Sequence, residues 1–237
     1  MNTASHRSNE HETTSLPIGS DPIRSMIPRS TRWLALGAVA GPILFTLVWF
    51  ILGFLSRGYI LYGILIAPYS PISQPISGLG LGLTAPFMNT AFVLCGLLQL
   101  VGVVGIFQGI PEMSPFARWS CAALFALSSL GFTLDGIFTL ESGSIHYLGF
   151  MLADSTAILG FLAAGLLLRR VPRWQKLGSL LIWAGPVTLL LTVVFFLTFN
   201  PVAAGAGLGV AGLTERLLVI ELQAWFAIPG WLIFKYS

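Results

Sequence analysis

The sequence predicts an all-α polytopic integral membrane protein, a bundle of six transmembrane helices with N-in/C-in topology. Three observations predict it. Charged residues make up 9% of the 237-residue chain, against about 25% in a soluble domain. The hydrophobic fraction is 55% and the mean hydropathy +0.85. The apolar residues also gather in six runs, each near the roughly 20 residues needed to cross a bilayer core of about 30 Å. This composition excludes a soluble globular domain, a disordered chain and a secreted disulfide scaffold.

Residues 1–30 are polar and read as a disordered cytoplasmic tail rather than a signal peptide. Residues 31–237 form the membrane domain. Its first helix spans about Trp33–Leu55 and carries no charge. The second covers about Phe87–Phe107 and the third about Trp119–Phe138, with Asp135 near its end. The fourth, about Ile145–Leu168, begins beside His146 and contains Asp154. The fifth covers about Leu177–Phe199. The sixth, about Leu213–Phe234, starts at Glu215 and Arg216 and contains Glu221.

Orientation follows from Lys and Arg. Cytoplasmic termini place Arg7, Arg24, Arg29, Arg32, Arg118, Arg169, Arg170, Arg173, Lys176 and Lys235 inside. Only Arg57 and Arg216 remain outside, so the bias obeys the positive-inside rule. The net charge of +3 is therefore a topology signal. No basic patch interleaved with aromatics points to nucleic acid. The expected setting is the cell membrane, with membrane lipids as neighbours.

One connection is unusual. Gly58–Pro86 is uncharged and rich in Gly, Pro, Ser and Ile. Prolines forbid a continuous helix there. Such backbone survives near lipid only when covered by protein or lining a wet cavity. It reads as a lid on the outer mouth of the bundle, or as a plain outer loop. Ala40-Gly41-Pro42 recurs as Ala184-Gly185-Pro186, a faint internal repeat. Cys95 and Cys121 fall in separate apolar runs and read as core thiols too far apart to bridge.

The ionisable residues carry the chemistry. A charge at the bilayer centre costs roughly 2.5–3.5 kcal/mol on insertion scales. Asp135, His146, Asp154, Glu215, Arg216 and Glu221 concentrate in the outer half, where they should face the bundle interior, paired or protonated. Asp154 lies about 12 Å below His146, and Glu221 about 9 Å below Glu215, at 1.5 Å per residue. His146 beside Asp135 or Glu141 suits acid–base work, or a simple ion pair. Glu215-Arg216 equally suits an interfacial helix cap. Asn89 and Gln99 suit glue between helices. No HExxH, GxSxG, Walker or CxxC pattern occurs. With one His in the membrane part, a His-rich zinc site is not expected, and neither metal nor cofactor is expected.

Three stretches belong together: Tyr69-Ser-Pro-Ile-Ser-Gln-Pro-Ile-Ser-Gly-Leu-Gly with Asn89 following, Gly136-Ile-Phe-Thr-Leu-Glu-Ser-Gly-Ser-Ile-His146, and Gly212-Leu-Thr-Glu-Arg216 entering a helix with Trp225. The pattern resembles the membrane-protein family called domain of unknown function 998, over about Trp33 to Phe234. The resemblance implies a six-helix bundle and marks Ser77, Asn89, His146, Glu215 and Arg216 as matching positions. Where the family pattern has Pro and Asp before the His, Thr139 and Glu141 stand here. The family implies no activity.

Three functions fit this sequence. The first expectation is binding of a lipid or other amphipathic small molecule in a polar pocket open to the outer leaflet. Its ligand-binding candidates are Ser77, Asn89, Asp135, His146, Asp154, Glu215, Arg216 and Glu221. The second is a membrane-embedded enzyme using His146, Asp135 and Glu221 on a lipid-soluble substrate. The third is an accessory subunit. Transport needs a polar trail below Asp154, and Gln99 and Thr46 are the only weak candidates for one.

Overall fold

In a computed structural model, which describes residues 29–236, six helical segments of 23–27 residues are long and apolar enough to cross a membrane. The first is broken into α1 (Arg29–Ala35) and α2 (Gly37–Leu55) by a turn at Leu36. After the lid come α3 (Ala85–Gln108), α4 (Pro115–Ile137), α5 (Ser144–Leu168) and α6 (Gln175–Thr198). A short α7 (Pro201–Gly205) precedes α8 (Ala211–Tyr236). The predicted tail lies outside the described residues, apart from Arg29 and Ser30.

Each span packs on the next, and α8 returns to touch both α6 and α2, closing a ring. Small residues bring the helices together: a Cβ on Gly41 would lie 2.9 Å from the Cys95 carbonyl oxygen of α3. Helix starts follow their local sequence. Ser114 accepts from the Ala117 N–H at 3.3 Å ahead of Pro115, a capped N-terminus with proline at its first position. Cys95 and Cys121 are free and buried.

The two ends of the bundle differ. Arg29, Arg32, Arg118, Arg169, Arg170, Arg173, Lys176 and Lys235 lie at one end, here the basic face. The other end carries the segment between α2 and α3, here the lid. Toward the basic face the core is aromatic. Phe107, Phe125, Phe161 and Phe226, each below 2% exposed, interlock with ring centroids 5.2–6.2 Å apart.

The lid is ordered. It opens with a two-stranded hairpin, β1 (Tyr59–Leu61) and β2 (Ile64–Ile66), which the sequence reading missed. Tyr62 and Gly63 form its turn with φ of 50° and 80°, the left-handed pair that a tight hairpin requires. The chain then dips inward through Ser73, Gln74 and Pro75, all buried, into a 3-10 turn over Ile76–Gly80. Thr84 closes the segment by donating to the Leu79 carbonyl at 2.7 Å. Gly78 sits so close to the Tyr59 ring that a Cβ there would lie 2.7 Å from it.

Candidate functional site

The lid is bolted to the first turns of α8. The Arg216 guanidinium donates from Nη1 to the carbonyls of Pro71 (2.7 Å), Gln74 (3.0 Å) and Gly212 (2.8 Å), and from Nη2 to the Tyr69 hydroxyl (2.6 Å). It also lies 5.3 Å from the Trp49 ring centroid. Burial pushes the Tyr69 hydroxyl up to about 12, against the lowering pull of Arg216. Tyr69 therefore stays protonated and donates to the Pro75 carbonyl at 3.2 Å. The next residue back, Glu215, accepts from the Ile76 N–H at 2.5 Å. The Leu213 N–H adds a bond to the Ile72 carbonyl at 2.9 Å. From α3, Asn89 donates to the Gly80 carbonyl at 3.1 Å.

These bonds fix Ser77, and Ser77 meets His146. The Ser77 Oγ lies 3.0 Å from Nε2 of His146, and Nδ1 of the same ring lies 2.8 Å from the Phe138 carbonyl oxygen. A carbonyl only accepts, so Nδ1 carries the proton and Nε2 presents its lone pair to the serine hydroxyl. Asp135 Oδ1 stands 3.6 Å from Nδ1, beyond a hydrogen bond but near enough to stabilise a charged imidazole. A serine on Nε2 is the contact by which a histidine activates a serine nucleophile; here the carbonyl of Phe138, and not a carboxylate, holds Nδ1. Gly149 makes room for Asp135: a Cβ there would collide with Asp135 Oδ1.

Beneath the lid lies a chamber of about 30 Å³. Ser77, Asp135, Asp154 and Glu215 line it, with the rings of Phe45, Phe92, Phe132 and Phe150. Asp135 is 6% exposed and its Oδ1 has no hydrogen-bond partner among the described residues. Thr192 donates to Asp154 Oδ2. Neither Asp154 Oδ1 nor Glu215 Oε1 takes a hydrogen bond from a described residue, since their bonds go to the other oxygen. Charge balance in such a chamber calls for protons or a cation. The volume suits one or two water-sized groups. It is far below the roughly 300 Å³ or more of ordinary ligand pockets. The pocket expected beneath the outer leaflet is thus a small hollow.

Three of the candidate residues lie elsewhere. Glu221 is not in the chamber: it accepts from Thr188 Oγ1 at 2.9 Å and Trp225 Nε1 at 2.5 Å. Six residues carry it roughly 120° round the helix from Glu215, so the two acids cannot face one hollow. Arg216 and Asn89 do not line the chamber either, because they bind the lid backbone instead. The remaining candidates, Ser77, Asp135, His146, Asp154 and Glu215, do converge.

The polar trail reaches further than Gln99 and Thr46 suggest. Below Asp154 come Thr192, Thr188 and Glu221, and then Gln99, which donates to Gln223 at 2.6 Å. It stops at the phenylalanine cluster. Among the described residues, no group of three or more His, Cys, Asp or Glu side chains forms a metal cluster.

No curated protein and no solved structure matches the chain. A family does: the model described as Protein of unknown function (DUF998) matches residues 39–232, which cover all six spans in whole or in large part and every residue of the site. The chain is a multi-pass membrane protein that belongs to the DUF998 family.

Proposed function

We propose that the protein is a membrane-embedded serine enzyme of the hydrolase or acyl-transfer class, acting on a lipid-soluble substrate. Ser77 is the nucleophile and His146 the general base. Asp135 is a positioning residue that favours the charged imidazole. The observation that carries this reading is the Ser77 Oγ to Nε2 contact of 3.0 Å, made by a ring whose other nitrogen is committed to the Phe138 carbonyl. Each residue comes from a different element, so the alignment is not a product of local sequence.

The basic residues support a reading of the sidedness. Of the described cations, those outside the lid and α8's first turns gather at the face opposite the lid, apart from Arg57. By the positive-inside rule that face is cytoplasmic, so the lid and Ser77 belong to the outer side of the cell membrane. The phenylalanine cluster blocks the way to the cytoplasm, which favours chemistry at one surface over transport. A chamber of about 30 Å³ takes no more than the end of a lipid or amphipathic ligand, and a larger one needs the lid to move.

The test is covalent labelling of the purified protein in nanodiscs with a small fluorophosphonate. Wild type is expected to label. Ser77→Ala abolishes labelling, and His146→Ala slows it by roughly a hundredfold or more. A wild type that does not label, or a Ser77→Ala protein that labels equally, overturns the proposal.

A further inference from the structure

Where α8 returns to α2, the outer wall of the bundle carries a groove. It has two hollows, of about 260 and 270 Å³, and Ile220 lines both. The upper one lies under the lid, between Trp49, Gly53 and Phe54 of α2 and Arg216 and Leu217 of α8. The lower one continues along Pro42, Leu47, Ala224 and Ala227. Twelve residues of α2 separate Phe54 from Pro42, roughly 18 Å at 1.5 Å each. One leaflet of a bilayer core of about 30 Å is about 15 Å deep, so the groove has the length of a single acyl chain. Leu47, Phe54 and Leu217 are exposed beside it, open to lipid. The groove shares no residue with the chamber.

Its lid end hides a charge. Arg216 is 6% exposed, and among the described residues no carboxylate oxygen comes within 4.0 Å of its guanidinium. The adjacent Glu215 is bound to the Ile76 amide instead. All four hydrogen bonds of Arg216 go to neutral oxygens, and its Nε N–H makes none. Trp49, also 6% exposed, leaves its indole N–H without an acceptor. Arg216 Cζ lies 5.3 Å from the centroid of that ring. A buried cation and two idle donors thus share the end of an apolar slot, where each is costly unless an acceptor completes it.

We propose that this groove seats one phospholipid of the bilayer, its acyl chain along the α2–α8 seam and its phosphate at Trp49 and Arg216. Chemistry selects the ligand. A phosphate supplies the negative charge that Arg216 lacks and accepts from both idle N–H groups. Between apolar walls that attraction is weakly screened. Both nitrogens lie beneath the groove's surface, so side chains must part as the phosphate settles. A neutral lipid with the same chains fills the slot but leaves the cation unbalanced. The bound lipid also braces the lid, since the same guanidinium grips Pro71 and Gln74.

The experiment is native mass spectrometry of the full-length protein, purified in detergent and titrated with two lipids. One is dioleoylphosphatidylglycerol. The other is dioleoylglycerol, with the same chains and no phosphate. Wild type is expected to retain one phosphatidylglycerol, on the order of tenfold or more tightly than the diacylglycerol, the scale of lost charged hydrogen bonds. Trp49→Phe keeps a ring but removes one donor, and weakens phosphatidylglycerol by roughly threefold or more without moving the diacylglycerol. Ile220→Trp fills the slot midway and weakens both lipids. Leu190→Trp, at an exposed position of α6, changes neither. None of these readouts depends on Ser77. Equal retention of the two lipids by wild type overturns the proposal, as does phosphatidylglycerol affinity that neither Trp49→Phe nor Ile220→Trp alters. A dimer that Ile220→Trp splits into monomers also overturns it, by assigning the seam to a second copy of the chain.

Discussion

Arg216 is the point at which to break the lid. Of its four hydrogen bonds, those to Pro71, Gln74 and Tyr69 cross to the lid, while the Gly212 bond stays within α8. A hydrogen bond from a charged donor contributes about 1.5 kcal/mol or more, so three of them make the closed lid favourable by roughly 4–5 kcal/mol. Arg216→Ala removes them and leaves buried carbonyls without donors, shifting the open population by on the order of a thousandfold. Arg216→Lys keeps the charge but not the planar fork, and should fall between the two. The assay is hydrogen exchange of residues 69–80 in nanodiscs, read by mass spectrometry. In wild type these amides exchange slowly. In Arg216→Ala they exchange orders of magnitude faster, while the α4 and α5 amides do not change. If exchange in residues 69–80 differs by less than about threefold between the two proteins, the latch reasoning is wrong.

Gly149→Ala puts a methyl where Asp135 Oδ1 now rests, so it should slow fluorophosphonate labelling roughly tenfold or more while leaving residues 69–80 as protected as in wild type. Phe226→Ala opens a hole among Phe125 and Phe161 and should cost about 3–5 kcal/mol, seen as a clear fall in thermal unfolding temperature; an unchanged melt refutes the packed-plug description.

Much of this was open to a reader of the sequence, for identifiable reasons. Long uncharged runs mark spans because lipid accepts nothing else. The lid was foreseeable because Pro68, Pro71 and Pro75 forbid helix while the absence of charge forbids a free polar loop. The acids were conspicuous because charge in hydrocarbon is costly. The pairing of Ser77 with His146 was not readable: 69 residues separate them, and only the dip of the lid brings them together. The hairpin escaped because two strands of three apolar residues look like the rest of the lid, although the positive φ at Tyr62-Gly63 could have been sought at that Gly. Glu221 is at the right depth but not the right angle: six residues turn it roughly 120° round the helix from Glu215.

Under the serine-enzyme proposal, nucleophile and lid are one piece of chain, and this constrains the mechanism. Glu215 grips the Ile76 amide directly before Ser77, and Arg216 grips Pro71 and Gln74 a few residues earlier. Two adjacent residues of one helical turn thus set both the closed state and the serine's position. In the proposed mechanism, opening the lid to admit substrate would carry Ser77 away from Nε2, so the open state would be inactive. Catalysis by that mechanism would then require the lid to close again over the bound acyl group. Breaking the latch should therefore not yield a faster enzyme. Arg216→Ala is expected to bind substrate more readily and turn it over more slowly, with kcat falling at least as far as KM. A variant with raised kcat would show that Ser77 finds His146 without the lid, and would separate the two roles assigned here to one loop.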